Sequence, residues 1–121
     1  MRMLLRASIP TDFGNAGIRN GTIATTIQRI LADLKPEAAY FSEDNGERTA
    51  YVVFDMQESS QLPAVVEPWF LAFHSRVTVR PAMNLEDLAA AGPGIEHAVQ
   101  AYPQVGPGYF FGSESRSSSV K

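Results

Sequence analysis

Six polar and aromatic residues alternate with apolar ones in strand-like segments and have the types needed to hold a small molecule. Guanidinium groups bind carboxylates and other planar anions through paired hydrogen bonds, and tyrosine rings offer surfaces for stacking. An aspartate becomes a general base when burial raises its pKa. If neighbouring strands bring these side chains to one face, they form a site for an anionic or carbonyl-bearing molecule. The six are Arg6, Tyr40, Tyr51, Asp55, Thr78 and Arg80.

Within this set we predict that Asp55, Arg6 and Tyr51 are catalytic, with Asp55 as the base, and that the other three bind the ligand. His74, at the end of a predicted helix, is a further catalytic candidate. The alternatives are an Arg–Asp ion-pair network that stabilises an interface, and a His74 that only stabilises the C-terminal dipole of its helix.

A glycine- and asparagine-rich segment, residues 10–21, is predicted to be a long loop. As a lid it would bring Asn15 and Arg19 over the open end of a sheet, where both would bind the ligand. The alternative is a flexible connection in which Arg19 makes only local contacts.

Several classes of function are not expected for this chain. It has 121 residues, no cysteine and two histidines without metal-ligand spacing, so we predict neither a metal nor a cofactor. The net charge of −3 and the pI near 5.3 argue against nucleic acid as a partner. No run approaches the roughly 20 apolar residues of a membrane span, so we predict no membrane partner and a cytoplasmic location.

The segments that would position these residues show apolar residues either at every second position, which predicts strands, or every three to four positions, which predicts helices. An Asn45-Gly46 pair between two apolar runs predicts a tight hairpin. Pro68 inside the second helix is expected to kink or split it. The predicted elements are strands at 3–9, 38–43, 49–56 and 76–80 and helices at 22–34 and 62–74.

This β-α-β-β-α-β order predicts an α+β, ferredoxin-like fold: an antiparallel sheet in the order 4-1-3-2 with both helices on one face. Short helices are expected after Asn84 and over 95–102. A single domain would then span 1–103, with a Gly/Ser-rich tail over 104–121. In that tail, Tyr109, Phe110 and Phe111 are apolar enough to dock against a partner subunit.

The sheet face opposite the helices mixes aromatic rings with charges, which predicts a homodimer built through that face. The alternative is a monomer whose sheet face is solvated. The order of elements resembles the dimeric α/β-barrel superfamily, which includes cofactor-free monooxygenases and muconolactone isomerases. Three stretches are similar to small bacterial proteins of the DUF3303-like kind: Lys-Pro-Glu-Ala-Ala-Tyr-Phe from residue 35, Val-Val-Glu-Pro-Trp-Phe-Leu from 65, and Arg-Pro-Ala-Met-Asn-Leu-Glu-Asp-Leu from 80. The resemblance covers about residues 1–90 and implies the fold and dimerisation.

Two functions follow as expectations. One is small-molecule binding in a dimeric barrel, extending to a cofactor-independent isomerase, cyclase or monooxygenase that acts on an aromatic, polyketide-like or lactone substrate. The other is a non-catalytic ligand-binding or assembly protein. A closed cavity of several hundred Å³ beside Arg6, Tyr51 and Asp55 would favour the first, and a filled interior would favour the second.

Overall fold

Four strands form one antiparallel sheet in the order β2-β3-β1-β4, in a computed structural model that describes residues 1–106. This is the predicted ferredoxin-like arrangement, and it makes β1 and β3 the central strands. Neighbouring strands pair over most of their length. The strands are β1 (Arg2–Ile9), β2 (Ala38–Asp44), β3 (Glu47–Asp55) and β4 (Arg76–Pro81).

The hairpin between β2 and β3 is confirmed. Its two central residues, Asn45 and Gly46, have φ angles of 55° and 82°. Both values lie in the left-handed region that a two-residue hairpin turn requires, which asparagine tolerates and glycine adopts without strain.

Two helices cover one face of the sheet, as predicted. They are α2 (Thr22–Leu34) and α3 (Leu62–Phe73). The residues that form the core alternate along β1 and β3 and recur along one side of each helix. They include Leu5, Ala7, Val52, Phe54, Ile23, Ile30, Val65, Trp69 and Phe73.

The predicted loop over 10–21 is wrong, because Thr11–Asn20 forms a helix, α1. Glycine lowers intrinsic helix propensity, but two of the glycines lie where a neighbouring side chain comes close. A Cβ on Gly17 would lie 2.6 Å from Cγ1 of Ile23, and a Cβ on Gly14 would lie 2.5 Å from Nη1 at the flexible end of Arg48. Gly21, at φ 77°, separates α1 from α2. The lid that would have carried Asn15 and Arg19 is therefore absent.

Helix α3 is not split at Pro68, which lies inside a single helix over Leu62–Phe73. Proline removes one backbone donor and leaves the carbonyl of Ala64 without its usual partner. The helix continues because its residues Val65, Trp69 and Phe73 are buried in the core, and that burial outweighs one lost hydrogen bond.

The chain divides into two compact units, Met1–Ala82 and a second that begins at Met83. The second contains α4 (Leu85–Ala90) and α5 (Gly92–Ala101). The predicted cap is confirmed: Asn84 and Asp87 form a reciprocal capping box. Neither helix has a buried residue, and both expose apolar side chains, namely Leu85, Leu88, Ile95 and Val99.

The predicted tail falls mostly beyond residue 106, and Tyr109, Phe110 and Phe111 lie outside the described residues. Over residues 1–106, no helix is both long enough and apolar enough to cross a bilayer.

Candidate functional site

Four of the six predicted side chains lie in one row across the sheet face opposite α2 and α3, which we call the outer face. Tyr40 on β2 is opposite Tyr51 on β3, and Tyr51 is opposite Arg6 on β1. Arg6 in turn is opposite Thr78 on β4. Because neighbouring strands are about 4.8 Å apart, the row brings two rings, a guanidinium and a hydroxyl into one strip.

The centre of this row is a hydrogen-bonded trio. Nε of Arg6 donates to Oδ2 of Asp44 at 2.7 Å, and the Tyr51 hydroxyl donates to the same oxygen at 3.0 Å. Asp44 was missed in the sequence because β2 was expected to end at residue 43. The signal was present: Tyr40, Ser42 and Asp44 alternate, so they share a face.

The trio determines the charge state of its carboxyl. The hydrogen bond from Arg6, followed by that from Tyr51, holds the pKa of Asp44 below its usual value of 3.8. The hydrogen bond to Asp44 in turn raises the pKa of the Arg6 guanidinium. Asp44 is therefore an ionised acceptor that positions Arg6 and Tyr51, and it is not suited to remove a proton near neutral pH.

Replacing Asp44 by Asn should remove a pH-dependent part of the stability. A group whose pKa is lowered by folding stabilises the folded state above its unfolded pKa, and this contribution disappears as the pH falls through the folded pKa. Urea unfolding at pH 7 and pH 3 would check this. The wild-type protein should be more stable than Asp44→Asn at pH 7, and the difference should shrink at pH 3. An equal difference at both pH values would contradict the assignment.

Arg80 lies elsewhere on the outer face, and Asp55, at the end of β3, lines a groove between α2 and α3. Asp55 is opposite Arg2, and its Oδ1 accepts a hydrogen bond from the N-terminal amine of Met1 at 2.8 Å. It is four residues from Tyr51, or about 13 Å along the strand, and its ion pair is with the amine of Met1 and not with Arg6. Arg80 is exposed, two residues from Thr78, and no carboxylate within residues 1–106 pairs with it.

The remaining three candidates lie outside this row. Asn15 in α1 accepts a hydrogen bond from Arg48 at 3.1 Å, and Arg19 in the same helix is exposed. His74 ends α3 with φ 52°, and its ring packs on Phe13 with the centroids 4.2 Å apart. The structure therefore does not join Asn15, Arg19 or His74 to Arg6 and Tyr51.

Two grooves lie on the helix side of the sheet. One, between α2 and α3, has a volume of about 910 Å³ and is lined by residues such as Arg29, Leu34, Pro68 and Leu71. The other, between α2 and the β2–β3 hairpin, has a volume of about 560 Å³. Neither of these two grooves is lined by Arg6 or Tyr51.

The described part of the chain contains no group of three or more acidic, histidine or cysteine side chains that could hold a metal ion.

Comparisons with known proteins provide a structural likeness alone. No protein-family model matches the chain, and no curated protein matches it. Among solved structures, a formyltetrahydrofolate deformylase from Pseudomonas putida KT2440 is similar at a TM-score of 0.44 and 15% sequence identity. The likeness covers 68% of this chain and 29% of the deformylase. The chain is thus similar to less than a third of that protein.

Proposed function

We propose that this protein is a homodimer, built through the outer face of the sheet, that binds a small anionic or aromatic molecule there. One observation carries the proposal: the row of Tyr40, Tyr51, Arg6 and Thr78 on the sheet face opposite α2 and α3. Rings and guanidinium groups in one strip offer both stacking and charge-assisted hydrogen bonds to such a ligand.

Dimerisation is supported by what the outer face exposes in the single chain. Tyr40 is 68% exposed, and Leu4 and Val53 are only half-buried. Apolar and aromatic side chains that share a face with charges are typical of the surface between subunits. The resemblance to dimeric α/β barrels supports the same arrangement, and a second copy would enclose the row of polar groups.

Ligand binding is supported by the distribution of charge along the outer face. Arg6 is already paired with Asp44, but Arg80 has no carboxylate partner among residues 1–106. A guanidinium without a carboxylate partner, on the same sheet face as Tyr40 and Tyr51, favours a ligand with a carboxylate or a polarised carbonyl group. We therefore assign the recognition of charge to Arg80, and the positioning of Tyr51 to the Arg6–Asp44 pair.

The resemblance to dimeric α/β barrels favours a cofactor-independent enzyme acting on an aromatic, polyketide-like or lactone substrate. The carboxylates of the site favour a second candidate, a non-catalytic binding or assembly protein. The carboxylate next to Arg6 has a lowered pKa, and Asp55 is four residues further along β3. Neither carboxylate provides a base beside Tyr51. Ligand binding needs no such base, whereas proton-transfer catalysis does.

Melting temperatures of the whole chain with benzoate, coumarin or a naphthoquinone test the proposal. A ligand at ten times its Kd stabilises the folded state by about 1.4 kcal/mol, which raises the melting temperature by about 5 °C. We expect this rise in the wild-type protein and in the control variant Arg29→Gln, since Arg29 lies on the helix side. The rise should be lost in Arg80→Gln. No rise with any of the three compounds, or an unchanged rise in Arg80→Gln, would overturn the proposal.

A further inference from the structure

The groove between α2 and the β2–β3 hairpin is almost entirely apolar. One wall is formed by Ile23, Ile27 and Leu31, which are spaced one helical turn apart on α2. Their Cα atoms span about 12 Å along the helix. Phe41 of β2 forms the opposite wall and is 53% exposed, although it lies on the helix-facing side of its strand. The ring lies on β2, an edge strand of the sheet.

An arginine lies in this groove and is held by α1. Arg48 is half-buried, and its Nη2 donates to Oδ1 of Asn15 at 3.1 Å. Gly14 leaves room for the guanidinium, since a Cβ there would lie 2.5 Å from Nη1. Gly14 and Asn15, on consecutive positions of α1, therefore both lie against the guanidinium, and Asn15 orients it through one hydrogen bond.

Arg48 forms no ion pair with a carboxylate among residues 1–106, and Asn15 is an uncharged partner. Glu43 is directly opposite Arg48 in the β2–β3 register, but its Oε1 accepts from the backbone N–H of Gly46. A partly buried guanidinium with one neutral acceptor has donors left for an anion.

We infer that this groove binds an aliphatic carboxylate of medium length, with its carboxylate on Arg48 and its chain along Ile23, Ile27 and Leu31. The volume of about 560 Å³ lies within the range of small-molecule sites, which are mostly apolar with a few polar groups that orient the ligand. Its isoleucine and leucine wall favours a flexible aliphatic chain, whereas the outer face offers flat rings. The groove lies on the other side of the sheet, so this inference does not rest on the proposed function.

Titration calorimetry on the whole chain with hexanoate, octanoate and decanoate, each below the concentration at which it forms micelles, tests the inference. Each methylene that becomes buried should tighten binding by up to about fourfold, until the chain reaches the end of the groove. Arg48→Gln should weaken octanoate binding at least tenfold, because it removes a charge-assisted hydrogen bond. Arg29→Gln, on the far side of α2, should leave binding unchanged.

A second variant keeps the Arg48 guanidinium but pairs it within the protein, so that it is no longer free to bind the carboxylate of the ligand. Asn15→Asp would place a carboxylate on Arg48, so octanoate binding should fall by a similar factor while the helix content stays the same by circular dichroism. The neutral analogue 1-octanol should bind more weakly than octanoate, with an affinity that does not depend on residue 48.

Three results would overturn the inference. The first is the absence of binding by any of the three acids, the outcome expected if a second copy or another part of the chain fills the groove in solution. The second is equal affinity for octanoate and 1-octanol, which would show that the carboxylate of the ligand does not contribute to binding. The third is octanoate binding that survives both Arg48→Gln and Asn15→Asp.

Discussion

Replacing Val53 by Asp is expected to convert the protein from a dimer to a monomer at micromolar concentration. Val53 is half-buried on the outer face, directly opposite Leu4 on one side and Ala38 on the other. In the proposed dimer its side chain would be covered by the partner subunit. Burying a carboxylate without a paired cation costs several kcal/mol, and each 1.4 kcal/mol is about a tenfold loss of affinity, so we expect association to weaken at least 100-fold.

Light scattering at several concentrations measures this effect directly. Thr25→Asp is a matched control, because it adds the same charge at an exposed position of α2 on the helix side, and it should stay dimeric. A wild-type mass equal to one chain of 13.2 kDa would refute the dimer itself. A dimeric Val53→Asp would show that the subunits meet through another surface.

Replacing Trp69 by Ala is expected to have the largest effect on stability. Trp69 is fully buried, and its ring packs on Phe73 with the centroids 5.9 Å apart. Truncating a buried aromatic side chain to alanine costs about 3–5 kcal/mol, a large part of the roughly 5–15 kcal/mol that stabilises a domain. The urea midpoint should fall accordingly while the slope of the transition stays constant.

Two variants of the same helix provide controls. Trp69→Phe should cost less than Trp69→Ala, because it keeps an aromatic ring and removes the Nε1 donor, which has no partner among the described residues. Phe70→Ala should cost less than Trp69→Ala, since Phe70 is 40% exposed. If Phe70→Ala were as destabilising as Trp69→Ala, the buried side of α3 would be assigned wrongly.

The parts of the fold that were predictable depend on local physics. Asn45-Gly46 specifies a tight turn because both residues adopt positive φ readily. The apolar period of α2 and the alternation along β1 determine which side of each element is buried. Helix α1 was not predictable, since Gly14 and Gly17 weaken a helix in isolation. Their value appears only where Arg48 and Ile23 approach the helix closely.

The candidate site was likewise predictable only in part. Alternation placed Arg6, Tyr40, Tyr51 and Thr78 on one face, and the strand register put all four in one row. The period of two determines a face but not a distance along it. Asp55 therefore shared the predicted face yet lies about 13 Å from Tyr51, while Asp44, which was assigned to the turn, is the carboxylate that contacts Arg6.

The sequence by itself determined the order of strands, the hairpin and the two faces of the sheet, because these depend on turn geometry, chain connectivity and hydrophobic period. Only the tertiary structure decided which polar groups meet. Asn15 and Arg48 are 33 positions apart, and Arg6 and Asp44 are 38 apart. A contact between distant positions depends on strand register and helix placement, which the packing of the whole chain determines and no local pattern encodes.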